Sequence, residues 1–148
     1  MIDSDIIIAE ISLKFDISQS TVEKLRNFLD KVDSYKYLYL MTETAKKGKT
    51  KARVRHKALD TEPYLPPKEY IKTKYQAEMF SVVERGEKHK LHYHRLIATN
   101  EPIDYADIQR RYGKYYYLHF EILNLDVETI KRVLKYMLKQ KEKKAEDE

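Results

Sequence analysis

Hydrophobic positions fall into alternating strand-like runs and helix-like stripes. Ile6-Ile7-Ile8-Ala9-Glu10-Ile11 is a short, β-branched apolar run and predicts a strand. Val22, Leu25, Phe28, Leu29 and Val32 follow at helical spacing, predicting a helix that opens at Ser18 or Ser20 and runs to about Asp33. Tyr35 to Thr44, dense in Tyr, Leu and Thr, predicts a strand. Pro66-Pro67 starts a short helix to about Gln76. Met79 to Glu84 and Leu91 to Thr99 predict two strands joined by a glycine-bearing turn, Arg85 to Lys90. Asp104 opens a short helix closing near Gly113, Tyr115 to Leu123 predicts another strand, and Asp126 caps a last helix over about 127–141. Lys143 to Glu148 predicts a charged, frayed tail. Strands partly joined by hairpins and interleaved with helices point to an α+β fold, a mostly antiparallel sheet flanked by helices, in one domain over residues 1–148.

Residues 45–66 hold no clear period but carry Lys46, Lys47, Lys49, Lys51, Arg53, Arg55 and Lys57. These are candidate phosphate contacts in a long basic loop or irregular hairpin, or else a solvated loop. The chain has 29 Lys+Arg against 24 Asp+Glu, a formal net charge of +5, which suits a polyanionic partner without requiring one. With no cysteine there is neither a disulfide framework nor a thiolate zinc site. No run of about 18 apolar residues occurs, and the start carries Asp3 and Asp5 in place of a basic leader, so the expectation is an intracellular protein with no membrane span. Gly48-Lys49-Thr50 resembles the end of a phosphate-binding loop, but Glu43 stands where that loop needs glycine.

Two places carry candidate chemistry. In Leu91-His92-Tyr93-His94-Arg95-Leu96-Ile97, the strand period puts His92 and His94 on one face, close enough to hold one divalent metal. Glu84, at the end of the preceding strand, reaches the same ion if the hairpin register lays it beside them; Glu87 is the competitor, in the turn. Two imidazoles and one carboxylate with open positions suit Mn²⁺, Mg²⁺, Co²⁺ or Fe²⁺ better than closed structural zinc. His56, His89 and His119 read as unrelated to the clamp. The bland alternative is a pair of half-buried strand histidines.

The second place is the last helix. Val127, Ile130, Val133, Leu134, Met137 and Leu138 fill an arc of roughly 140°, and Tyr136 lies about 130° from its centre. Lys139 and Gln140 flank Tyr136 at i+3 and i+4. A phenol at the rim of the packed face beside a cation is either a nucleophile or a surface tyrosine with a snorkelling lysine.

Taken in order, these segments resemble three motifs of the HUH endonucleases, and within them the single-tyrosine Rep proteins that start rolling-circle replication of plasmids and viruses. Tyr37 to Thr44, with Thr42 and Thr44, resembles the first; Leu91 to Ile97 the second; Tyr136 to Lys139 the third. Val83-Glu84-Arg85-Gly86-Glu87 is similar to parvovirus-type Reps, whose acidic residue there is a metal ligand. The resemblance implies a ferredoxin-like or RNA-recognition-like sheet. It implies Mn²⁺ or Mg²⁺ on His92, His94 and Glu84, nucleophilic Tyr136 aided by Lys139, and nicking and rejoining of single-stranded origin DNA. The basic residues from Lys46 to Arg55 and Gln140 become DNA contacts. Partners would be a host polymerase and helicase, in the host cytoplasm, with the protein a monomer or homodimer. Residues 1–34 precede the first motif, where Reps usually begin close to it. Gln140 also makes a Tyr-x-x-x-Gln pattern seen in single-tyrosine transposases, so transposition is an alternative, as is a non-catalytic single-strand binder. Tyr37, Tyr39, Tyr115, Tyr116 and Tyr117 are candidate base-stacking platforms.

Overall fold

The computed structural model describes residues 2–46, 65–85, 91–139 and 144–145. Along the chain run α1 (Ser4–Lys14), α2 (Gln19–Val32), β1 (Tyr37–Ala45), α3 (Pro67–Tyr75), β2 (Glu78–Arg85), β3 (Leu91–Thr99), α4 (Tyr105–Tyr112), β4 (Tyr116–Leu123), α5 (Val127–Leu138) and a two-residue β5 (Lys144–Ala145). The protein is α+β. Four main strands form an antiparallel sheet in the order β4-β1-β3-β2, and β5 adds to the free edge of β2. From β1 to β4 the order is βαββαβ, the ferredoxin-like pattern.

Helices cover both faces. On one, α1, α2 and α5 bury Ile7, Ile11, Phe28, Leu29, Val133 and Leu134 against Leu38, Leu40, Phe80, Val82 and Leu96. On the other, Ile71 of α3 with Ile108 and Tyr112 of α4 pack on Tyr39, Met41 and Ile97. With both faces covered, Tyr37 to Met41 of β1 and Leu96 to Ala98 of β3 read as continuous apolar runs.

The run Ile6 to Ile11 is helical, not the strand its β-branched residues predict. Asp3 caps it, its carboxylate accepting from the backbone N–H groups of Asp5 and Ile6. Ser4, Ile7, Ile8 and Ile11 are buried at helical spacing while Ile6 faces solvent. The cap and one-sided burial outweigh a preference worth only tenths of a kcal/mol per residue. Glu10, on this helix, pairs with Lys131 at 3.4 Å and Lys135 at 2.9 Å, tying α1 to α5.

Ser18 is the cap of α2 and Pro67 the first residue of α3, as expected. Gly113 follows α4, but at φ −61° it is right-handed. Glycine is needed there for space, because an added Cβ would lie 2.5 Å from the Gln109 carbonyl oxygen. The last helix ends at Leu138, short of the expected 141, and Lys139 is its C-cap. Part of the tail expected to fray, Lys144-Ala145, pairs with Val83 and Val82. Ile130, Val133, Leu134, Met137 and Leu138 of α5 are all buried. At roughly 1.5–3 kcal/mol for each such side chain, packing dominates over cap and charge in fixing α5 on the sheet.

Candidate metal and nucleophile site

Register decides what meets at the end of the sheet that carries Thr44, Glu84 and His92. Tyr117, Thr44, His92 and Glu84 are successive Cα partners across β4, β1, β3 and β2. The neighbouring row is His119, Thr42, His94 and Val82. Directly paired residues share a face, so both rows lie on the face covered by α1, α2 and α5. Deeper along the strands that face is apolar; at this end the core gives way to imidazole, hydroxyl and carboxylate.

His94 is buried, 5% exposed, and its Nε2 lies 3.4 Å from Glu84 Oε2. His92 Nδ1 is 2.8 Å from Thr44 Oγ1. Tyr136, 45% exposed, sets its ring edge-on to His94, with centroids 5.5 Å apart and planes at 84°. Lys139 Nζ stands 4.9 Å from the centre of the Tyr136 ring. The phenol of the last helix, the imidazole of β3 and the carboxylate of β2 therefore come together from distant parts of the sequence.

The His94–Glu84 pair has a spacing that two ligands of one divalent ion would also have. Two donors each about 2.1 Å from a shared ion, at roughly 90–110° to one another, lie about 3.0–3.4 Å apart, and the His94–Glu84 separation is at the upper end of that range. Among the described residues no three His, Asp or Glu side chains are gathered into a ready-made cage. His94 and Glu84 are in place, and His92 stands directly opposite Glu84 with Thr44 on its Nδ1. A threonine there can fix the ring tautomer, leaving Nε2 as the ligating nitrogen. Thr44 belongs to the first motif, and nothing in the sequence signals its bond to His92.

Other predicted residues are placed as follows. Thr42 is half-buried between His94 and His119. His119, set aside from sequence, is exposed on the same face. Lys46 Nζ donates to the Gly113 carbonyl at 2.7 Å and lies 5.0 Å over the Tyr117 ring. Lys47, Lys49, Lys51, Arg53, Arg55, Lys57, Gln140, Glu87, His89 and His56 lie outside the described residues.

Behind the site, on the opposite face, Arg95 and Glu43 form a buried ion pair at 3.2 Å, and Arg95 donates to Ser81 at 3.0 Å. Asp107 collects Tyr70, Lys74, Arg110 and Arg111, joining α3 to α4. Burial opposes its ionisation, but hydrogen bonds from Tyr70, Lys74 and Arg111 outweigh that and hold the carboxyl down at about 2.

Residues 34–140 match the family described as virus, 117-like. The chain belongs to the 117-like virus family. Its matched segment takes in β1 to α5 and every residue of the site just described, whereas α1 and α2 precede it. The chain is 33% identical over 66 residues to uncharacterized protein 117 of Sulfolobus islandicus rod-shaped virus 1, covering 44% of this chain and 56% of that one. It thus spans little more than half the length of this curated relative. It is also similar to the crystal structure of the hypothetical protein ORF119 from the same virus, at a TM-score of 0.55 and 29% identity. That match covers 79% of this chain and 93% of the other. No helix among the described residues is long and apolar enough to cross a membrane.

Proposed function

We propose that this 117-like protein is a replication initiator that nicks and rejoins single-stranded DNA through a covalent phosphotyrosine. The observation that carries the reading is the edge-on contact of Tyr136 with His94, the histidine within 3.4 Å of Glu84. It brings a half-exposed phenol to the end of the sheet where the His94 imidazole and the Glu84 carboxylate meet.

In the proposed reaction the Tyr136 oxygen attacks the scissile phosphorus and loses its proton. The new Oη–P bond replaces the P–O3′ bond, and the departing 3′ oxygen takes up a proton. The products are a free 3′-OH and a 5′-phosphotyrosine, and because one phosphodiester replaces another the step reverses without ATP. Lys139, one turn beyond Tyr136, supplies positive charge for the phenolate and the transition state. Mn²⁺ or Mg²⁺ held by His94, Glu84 and His92 would act as Lewis acid on the phosphate. The free 3′-OH would prime a host polymerase, after a helicase had opened the origin in the host cytoplasm.

The test is a denaturing gel of protein incubated with labelled single-stranded origin DNA and Mn²⁺. A covalent adduct is expected, absent with EDTA and absent in Tyr136→Phe. An adduct that persists in Tyr136→Phe refutes the assigned nucleophile. Single-strand binding with no adduct in any divalent metal would refute the catalytic reading.

A further inference from the structure

The sheet carries an exposed aromatic outside the reacting cluster. Of the five tyrosines named above as base-stacking candidates, four are committed elsewhere. Tyr39 is buried and Tyr37 stacks on it, with centroids 6.5 Å apart, on the face opposite the histidines. Tyr116 is buried and Tyr115 packs with it in the second core. Tyr117 is different: 62% exposed, it lies in the row that continues through Thr44 and His92 to Glu84. Two strand spacings, about 10 Å, separate it from His92. That is too far for the reacting phosphate and near enough for a flanking nucleotide.

The ring is also held. Lys46 lies 5.0 Å from its centre and is itself anchored on the Gly113 carbonyl at 2.7 Å. One ring face meets this cation, and most of the residue is exposed. Lys46 also begins, in sequence, the basic run to Lys57, and a fixed cation beside the ring suits a polyanion. An exposed ring beside a fixed cation, on an edge strand, matches a nucleobase of a single strand.

Resting on the proposed single-strand chemistry, we infer that Tyr117, oriented by Lys46, is the stacking platform for a base flanking the cleaved phosphate. It sets where the strand lies and takes no part in bond breaking.

The test is fluorescence anisotropy of labelled single-stranded DNA with wild type, Tyr117→Ala, Tyr117→Phe and Lys46→Ala, without divalent metal. Tyr117→Ala should bind between about fivefold and 150-fold more weakly, the span of base–aromatic stacking. Tyr117→Phe should stay within about twofold. Because a base stack is uncharged, Tyr117→Ala should keep the wild-type salt slope while Lys46→Ala flattens it. 2-Aminopurine placed beside the cleavage site should be quenched by wild type and brightened by Tyr117→Ala. Thermal melts confirm folding, since the replaced ring is exposed. Wild type that binds and nicks, with Tyr117→Ala indistinguishable from it, overturns the platform alone. Wild type with no affinity for single strands overturns the platform and the proposed function together.

Discussion

Replacing Thr44 by valine tests the proposed clamp without touching a ligand. The hydroxyl lies 2.8 Å from His92 Nδ1, on a side chain that is almost fully buried. Valine keeps the shape and β-branching, so strand β1 should keep its register. What changes is the state of the imidazole. With threonine present, Nδ1–H can donate to Oγ1, and Nε2 keeps its lone pair for a metal. With valine, that N–H is left without an acceptor at a cost of about 1–3 kcal/mol. The ring then moves its proton to Nε2 or turns, and either spoils the ligand. Loss of such an orienting bond weakens metal binding by about 10–100-fold, or about 1.4–2.7 kcal/mol, in line with that cost. Titration calorimetry with Mn²⁺ at neutral pH should show this weakening for Thr44→Val and near wild-type affinity for Thr44→Ser. Nitrogen-15 NMR of the imidazole should report the proton on Nδ1 of His92 in wild type and its displacement in Thr44→Val. Wild-type Mn²⁺ affinity together with an unchanged tautomer in Thr44→Val would refute the reasoning.

Two predictions concern the face behind the site. Asp107 has its folded-state pKa lowered from 3.8 to about 2, so its contribution is fully present above the unfolded value and is lost as pH falls from about 4 toward 2. Discounted for the exposure of its cationic partners, it should amount to about 1–2 kcal/mol. Urea unfolding at pH 5 and pH 2.5 should show this loss in wild type and a smaller one in Asp107→Asn; equal losses would remove Asp107 as its source. Arg95→Met should cost up to about 3–5 kcal/mol by removing the buried cation that Glu43 faces at 3.2 Å, and Glu43→Leu with Arg95→Met should recover at least half. A double variant no more stable than Arg95→Met would show that the pair is not what carries the cost.

Much of the secondary structure is legible locally. The amphipathic stripe of α5 and the Asp126 cap are readable from spacing alone, because a helix buries every third or fourth residue regardless of what covers it. The Ile6–Ile11 run shows the limit. Its composition favours a strand, and only the Asp3 cap and the burial of Ile7, Ile8 and Ile11 against α2 and α5 make it a helix. The function of the α1–α2 pair was equally closed to sequence: it covers the core beside α5 and holds that helix through Glu10.

For the site, the sequence by itself determined which side chains share a face. The two-residue period of a strand puts His92 with His94, and Thr42 with Thr44, whatever the fold. It also placed Tyr136 outside the packed stripe. Tertiary structure alone decided the pairings across strands: Glu84 opposite His92, Thr44 on His92 Nδ1, Tyr117 in their row, and Tyr136 against His94. The physical reason is range. Periodicity is a property of one segment's backbone, while register and helix docking follow from how buried side chains of separate segments fill a common core, and no single segment contains that information.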